Sequence, residues 1–162
     1  MAQPGVVEIA AVDTSSIQAA LAVYGGLSDL AGLFGNIAAA LESNIQHRFD
    51  RKVDPDGVPW PAWAPSTAKQ RAKQGFVQPG NLMQLHNPGL RDTFRFSYDA
   101  DSVTIRVGAA YAVFHEQLGG PGKGHLPRRA MLVGASGQLG QEDMTEIQST
   151  VKDYFDLLVS QP

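Results

Sequence analysis

Leu27, Leu30, Phe34, Ile37, Leu41, Ile45 and Phe49 recur in steps of three and four, and this periodicity constrains the chain more than any other feature. Such steps place all seven side chains on one stripe of a helix about six turns long. Asp29, Asn36, Ser43 and Gln46 fall elsewhere on its circumference. A long amphipathic helix must bury its stripe against another layer, so the expectation is a core-facing helix with no further role. A shorter helix through Ile17, Ala20, Leu21 and Tyr24 should precede it, opened by the N-cap residues Asp13-Thr14-Ser15-Ser16 and closed at Gly25-Gly26.

The opposing layer is read from two other patterns. Phe94, Phe96 and Tyr98 alternate with Thr93, Arg95 and Ser97; Val103, Ile105 and Val107 alternate with Ser102, Thr104 and Arg106. Period two on both sides of Asp99-Ala100-Asp101 predicts an antiparallel hairpin. If both apolar rows face the core, Tyr98 pairs with Val103, Phe96 with Ile105 and Arg95 with Arg106. Two opposed arginines repel, so they either splay into water or share an anionic partner, a carboxylate or a phosphate. Val6, Val7, Ile9 and Val12 predict a further strand, and Ala109 to Leu118 a short helix. Met144, Ile147, Val151, Tyr154, Phe155 and Leu158 predict an amphipathic C-terminal helix. The expected fold is α+β: a small antiparallel sheet with a long N-terminal helix and a C-terminal helix packed on it. Residues 1–162 are read as one domain, with extended loops near 53–65, 75–88 and 119–140.

The first of those loops starts with Asp54-Pro55-Asp56-Gly57, and Pro59, Pro61 and Pro65 keep it irregular. It holds Trp60 and Trp63, which either fold back onto the core or face a partner. Trp60 is expected to pack on its own domain and Trp63 to sit at an edge, and both are candidate contacts. A short basic helix, Ser66 to Gln74, follows with Lys69, Arg71 and Lys73. One helical turn is expected at Pro88-Gly89-Leu90-Arg91-Asp92.

Charge is distributed in blocks. Residues 1–47 carry net −4, residues 48–129 net +5 and residues 130–162 net −4, for a total of −3. An acidic–basic–acidic chain suits association between unlike faces, unless the charges merely fall where surface is needed. There is no cysteine, which excludes disulfides, thiolate chemistry and cysteine-ligated zinc. No apolar run approaches the roughly 18 residues of a membrane span. Met-Ala-Gln-Pro-Gly lacks the basic and apolar regions of a signal peptide, so a chain made and used in a cytoplasm is expected.

No constellation for catalysis stands out. His115, Glu116 and His125 follow no metal-ligand spacing, and His115 lies one helical turn after Tyr111, where a packed, hydrogen-bonded histidine is expected. Ser136 lacks the G-x-S-x-G elbow. The Gly119–Gly124 loop lacks the first glycine and the Ser/Thr of a phosphate-binding loop. Lys123, His125, Arg128 and Arg129 form a basic cluster on a glycine-rich segment, read as a solvated or partner-facing loop that could also touch phosphate. Arg95, Arg106, Lys123, Arg128 and Arg129 are thus the candidates for DNA contact. No cofactor or metal is expected.

Taken in order, these motifs resemble the phage virion morphogenesis family, with its Mu-like and P2-like tail completion members. The resemblance runs over roughly residues 5–160. It rests on Arg48-Phe49 closing the long helix, the Asp54-Pro55-Asp56-Gly57-Val58-Pro59-Trp60 loop and the Ser66-Thr67 helix start. It continues through Gly89-Leu90-Arg91-Asp92-Thr93 before the hairpin and Gly108 after it. The signature residues Tyr111, His115, Gln117 and Gly119 follow, then Pro127-Arg128-Arg129-Ala130-Met131-Leu132 and an acidic helix. The chain departs from the family pattern at His86-Asn87-Pro88, at Glu116 and at Arg129-Ala130. The resemblance implies a non-catalytic structural protein of a tailed bacteriophage, a tail completion or neck component at the head–tail junction or tail end. The implied partners are its own copies in a closed ring, often a hexamer, and other neck, portal or tail-tube proteins. DNA in transit is a further contact, and no membrane is involved. The implied location is the virion, assembled in the host bacterial cytoplasm. A transient capsid or tail assembly factor is the alternative, and a small metal- or DNA-binding protein the next.

Overall fold

The computed structural model describes residues 7–9, 30–85, 89–116 and 126–160. In chain order the elements are β1 (Val7–Ile9), α1 (Ala31–Arg51), α2 (Pro65–Ala72), a 3-10 turn (Leu90–Thr93), β2 (Phe94–Tyr98), β3 (Val103–Val107), α3 (Ala112–Glu116) and α4 (Gln141–Val159). The predicted 17–24 helix lies outside the described residues, as do Leu27, His86, Gln117, Gly119, Lys123 and His125. The architecture is α+β, with α1 packed between the sheet on one side and α4 on the other.

α1 follows its periodicity. Leu30, Phe34, Ile37, Leu41, Ile45 and Phe49 are all buried. Arg48 and Arg51 lie in the last turn, where positive charge favours the helix dipole. Lys52 then turns the chain in the left-handed region at φ 58°. The Phe49 ring is the centre of the core, edge-on to Trp60 at 5.3 Å and to Phe94 at 5.9 Å.

The sheet has the order β1–β3–β2, antiparallel throughout. The predicted register is present: Arg95 pairs with Arg106, Phe96 with Ile105 and Tyr98 with Val103. Asp99 forms the turn, its Oδ1 accepting from the N–H groups of Asp101 and Ser102. Val103, Ile105 and Val107 face inward. The β2 row does not stay buried. Phe94 is buried, Phe96 is half-buried, and Tyr98 is 56% exposed where it reaches the start of α1. There it lies over Gly35, where a Cβ would come within 3.0 Å of the Tyr98 ring.

Other elements shift modestly from expectation. The basic helix runs Pro65–Ala72, because Pro65 is suited to the first helical position. The helix expected over 109–118 is described only as Ala112–Glu116. In α4, Ile147 is buried, but Met144 is 38% exposed, because Asp143 takes the inward position one residue earlier.

Candidate functional site: a strapped loop beside a cationic groove

Residues 126–140 contain no helix or strand, yet Arg129 to Leu132 are buried. A buried loop must find partners for its backbone polar groups. Here four side chains from three other parts of the chain supply them. Glu116, at the end of α3, accepts from the N–H groups of Met131 at 2.6 Å and Leu132 at 3.0 Å. Trp60 Nε1 donates to the Ala130 carbonyl at 2.9 Å. Arg48, from α1, donates to the Met131 carbonyl at 2.9 Å. Asp56 accepts from the Ala135 N–H at 2.7 Å.

The loop also reaches outward with its own side chains. Arg128 donates through Nε to the Glu116 carbonyl and through one terminal nitrogen to the carbonyls of Val133 and Gly134. Arg129 donates through Nε to the Pro61 carbonyl at 2.7 Å and through a terminal nitrogen to Ala62 at 3.1 Å. The two loops are therefore stitched face to face. Their fit is tight at Gly140, where a Cβ would fall 2.0 Å from the Pro55 carbonyl oxygen.

Below this lies an ion pair. Arg48 and Asp143 bond directly, and both side chains are 1% exposed. Asn44 Nδ2 adds a bond to Asp143 at 3.0 Å. The pair links the end of α1 to the first turn of α4, and the exposed Arg51–Glu142 bridge repeats the link at the surface.

The electrostatics follow from burial. Glu116 has its pKa raised by desolvation, against the opposing pull of the N–H groups of Met131, Leu132 and Val133 and of Arg128. His115 is lowered to about 4 by burial and by the nearby Arg129 charge, so it is neutral at physiological pH. Its ring meets Tyr111 edge-on at 6.4 Å, the helical-face packing expected from their spacing. Its Nδ1 is buried with no hydrogen-bond partner among the described residues.

These positions correct several expectations. Trp60 and Trp63 are 5% and 8% exposed. Trp60 packs inward as expected, and Trp63 is also largely buried, under the Arg71 guanidinium 5.1 Å from its centroid, at the edge of a groove. Arg128 and Arg129 bind carbonyls of their own chain. Each does so through Nε and one terminal nitrogen, because a buried irregular segment has acceptors to satisfy. Arg95 is exposed and curls back onto the Asp92 and Phe94 carbonyls. Arg106 faces Arg95 in register on one side and Glu8 of β1 on the other.

Sequence reasoning passed over Arg48, Asn44 and Asp143. A signal existed: Asn44 and Arg48 fall within the buried arc of α1 between Leu41 and Phe49, and Asp143 lies four residues before Ile147.

Beside the straps a groove of about 770 Å³ opens between α2 and the loops, lined by Trp63, Arg71, Met83, Leu126, Pro127 and Arg129 among others. No carboxylate among the described residues lines it. No group of three metal-ligating side chains converges among the described residues. Nor is any described helix long and apolar enough to cross a membrane.

Fold and site together define a small α+β module built on one long helix, whose distinctive polar residues hold its own loops in place. The phage virion morphogenesis family matches over residues 8–156. A relative, "Putative capsid assembly protein G" of Escherichia phage Mu, is 36% identical over 112 residues, covering 68% of this chain and 70% of the relative. No solved structure matches. This chain belongs to the phage virion morphogenesis family, and its role lies in building the bacteriophage particle.

Proposed function

We propose that this protein is a non-catalytic ring component of the neck or tail end of a tailed phage, acting in tail completion or head–tail joining. The observation that supports this reading is the use made of the conspicuous polar and aromatic residues of the loops. Glu116, Arg128, Arg129 and Trp60 all bind backbone groups of their own chain. What such a scaffold offers is a rigid outer surface for its own copies and for neighbouring portal, neck or tail-tube proteins. A closed ring needs two different, complementary faces on each copy. Exposed Lys69 and Lys73 at α2 and the exposed acids of α4 lie on separate elements, which supports such a pair of faces.

A second reading is a transient capsid or tail assembly factor, favoured by the capsid-assembly name of the Mu relative. Mass spectrometry of purified virions separates the two, because a ring component is retained and a transient factor is not. Suppressing the gene should yield heads and tails that fail to join. A protein that stays monomeric in mass photometry and is absent from virions would sink the ring reading.

A further inference from the structure

The groove beside α2 holds two arginines that no acid answers. Arg71 and Arg129 both line it, and no carboxylate among the described residues does. Elsewhere Arg48, Arg51 and Arg91 pair with carboxylates, and Arg95 and Arg128 donate to carbonyls. Arg71 does neither among the described residues: its guanidinium lies over the Trp63 ring, and its buried Nε has no hydrogen-bond partner. Arg129 gives Nε and one terminal nitrogen to the Pro61 and Ala62 carbonyls, and its second terminal nitrogen makes no bond among the described residues. Burial and then the Arg71 charge lower the Arg129 pKa, so the two guanidinium groups lie within electrostatic reach of each other.

The rest of the lining narrows the choice of occupant. Glu116, at the end of α3, accepts from the Met131 and Leu132 N–H groups instead and does not reach the groove. Met83, Leu126 and Pro127 supply apolar wall, and Leu126 is 49% exposed. The volume of about 770 Å³ falls in the range of roughly 300–1,000 Å³ usual for ligand pockets. An occupant must therefore bring an anion together with an apolar flank. Duplex DNA brings phosphates along its outer surface and no such flank, whereas Arg129 is recessed, at 5% exposure. An Asp or Glu side chain beside a large apolar residue in a protein segment brings both.

We propose that this groove receives an acidic–apolar segment of a partner protein, its carboxylate seated against the terminal nitrogens of Arg71 and Arg129 and its apolar neighbour against Met83 and Leu126. A carboxylate takes two parallel N–H bonds from a guanidinium fork. The Trp63 ring holds the Arg71 fork in place before the ligand arrives, and the Pro61 and Ala62 carbonyls do the same for Arg129, so little ordering is left to binding. The proposal goes beyond the ring reading and stands equally for a transient assembly factor, since either must recognise a neighbour.

The test selects a random peptide display library on the full-length protein. Enriched peptides should carry Asp or Glu beside a large apolar residue, and the best of them, synthesised with a fluorescent label, is titrated by anisotropy. Three changes should each weaken its binding about tenfold or more: Arg71→Gln, Leu126→Glu, and replacement of the peptide's acid by its amide. Leu126→Glu acts by placing a competing carboxylate in the groove. Arg71 is half-buried and Leu126 exposed, so both variants should keep the circular dichroism of the parent. Arg71→Lys keeps the charge without the fork and should bind with intermediate strength. Enrichment of neutral or basic peptides, no enrichment at all, or binding indifferent to Arg71→Gln and Leu126→Glu overturns the proposal. If glutarate alone binds as tightly as the peptide, the groove serves a small acid. If duplex DNA displaces the peptide and itself binds Arg71→Gln more weakly, the groove is a phosphate contact. Either result also sinks the proposal.

Discussion

Replacing Asp143 by alanine should be among the most damaging single changes in this protein. Asp143 and Arg48 are each 1% exposed, and Asn44 donates to the same carboxylate. Removing the acid strands a guanidinium in the core, which costs about 3–5 kcal/mol. The Asn44 donor loses its partner too, for roughly another 1 kcal/mol. Against a total stability of about 5–15 kcal/mol for a domain, that is a third or more of the whole. Removing both charges should hurt less. In Arg48→Met with Asp143→Leu, apolar volume replaces the pair, and the residual costs are the Met131 carbonyl and the Asn44 amide left without partners, about 1–2 kcal/mol each. The measurement is a double-mutant cycle from urea midpoints at constant slope. A coupling energy of about 2 kcal/mol or more is expected. If Asp143→Ala costs under about 1 kcal/mol, or if the double variant costs the sum of the singles, the buried-charge reasoning is refuted.

Two further outcomes follow from the straps. Gly140→Ala would drive a Cβ to 2.0 Å from the Pro55 carbonyl oxygen, so one loop must move; a loss of about 1–3 kcal/mol in chemical denaturation is expected, and an unchanged midpoint would mean that the loops part freely. His115 titrates near 4 in the folded chain against 6.5 for a free histidine. The folded form therefore binds fewer protons in that window, and stability falls as pH drops from about 6.5 to about 4, by roughly 1–3 kcal/mol. Comparing His115→Gln with the parent in thermal melts at pH 7, 5.5 and 4.5 isolates this group from Glu116, whose raised pKa acts in the opposite sense; parallel curves for the two proteins would contradict the assignment.

The α1 stripe and the 94–107 hairpin were legible in the sequence because their periods are local and each apolar side chain faces one way. The Arg95–Arg106 register followed from that period alone. The order of motifs led to the family because it depends only on spacing. The straps were not legible. Trp60 to Ala130, Arg129 to Pro61 and Arg48 to Asp143 join residues 70, 68 and 95 positions apart, and no local pattern encodes such distances. For the same reason Arg128 and Arg129 looked like a free basic patch: a charge count does not reveal that carbonyls of other loops await them. Block charge had partial value. It located the cations of α2 and the acids of α4, but it also counted Arg48 and Asp143, which cancel each other in the core.

The separation between Arg48 and Asp143 also sets a clock during synthesis. The apolar stripe of α1 leaves the ribosome long before the residues that cover it, and its buried arginine waits for an acid 95 positions later. At roughly 5–20 residues per second this interval is about 5–19 s. Throughout it the side of this helix that α4 covers stays open, even after the 94–107 hairpin has been made. Closing the Asp143 latch ends that exposure, and only then is α4 seated with its acidic side outward. A copy whose translation stops short of α4 would carry the helix without that cover, which ties closure of the core to synthesis of α4.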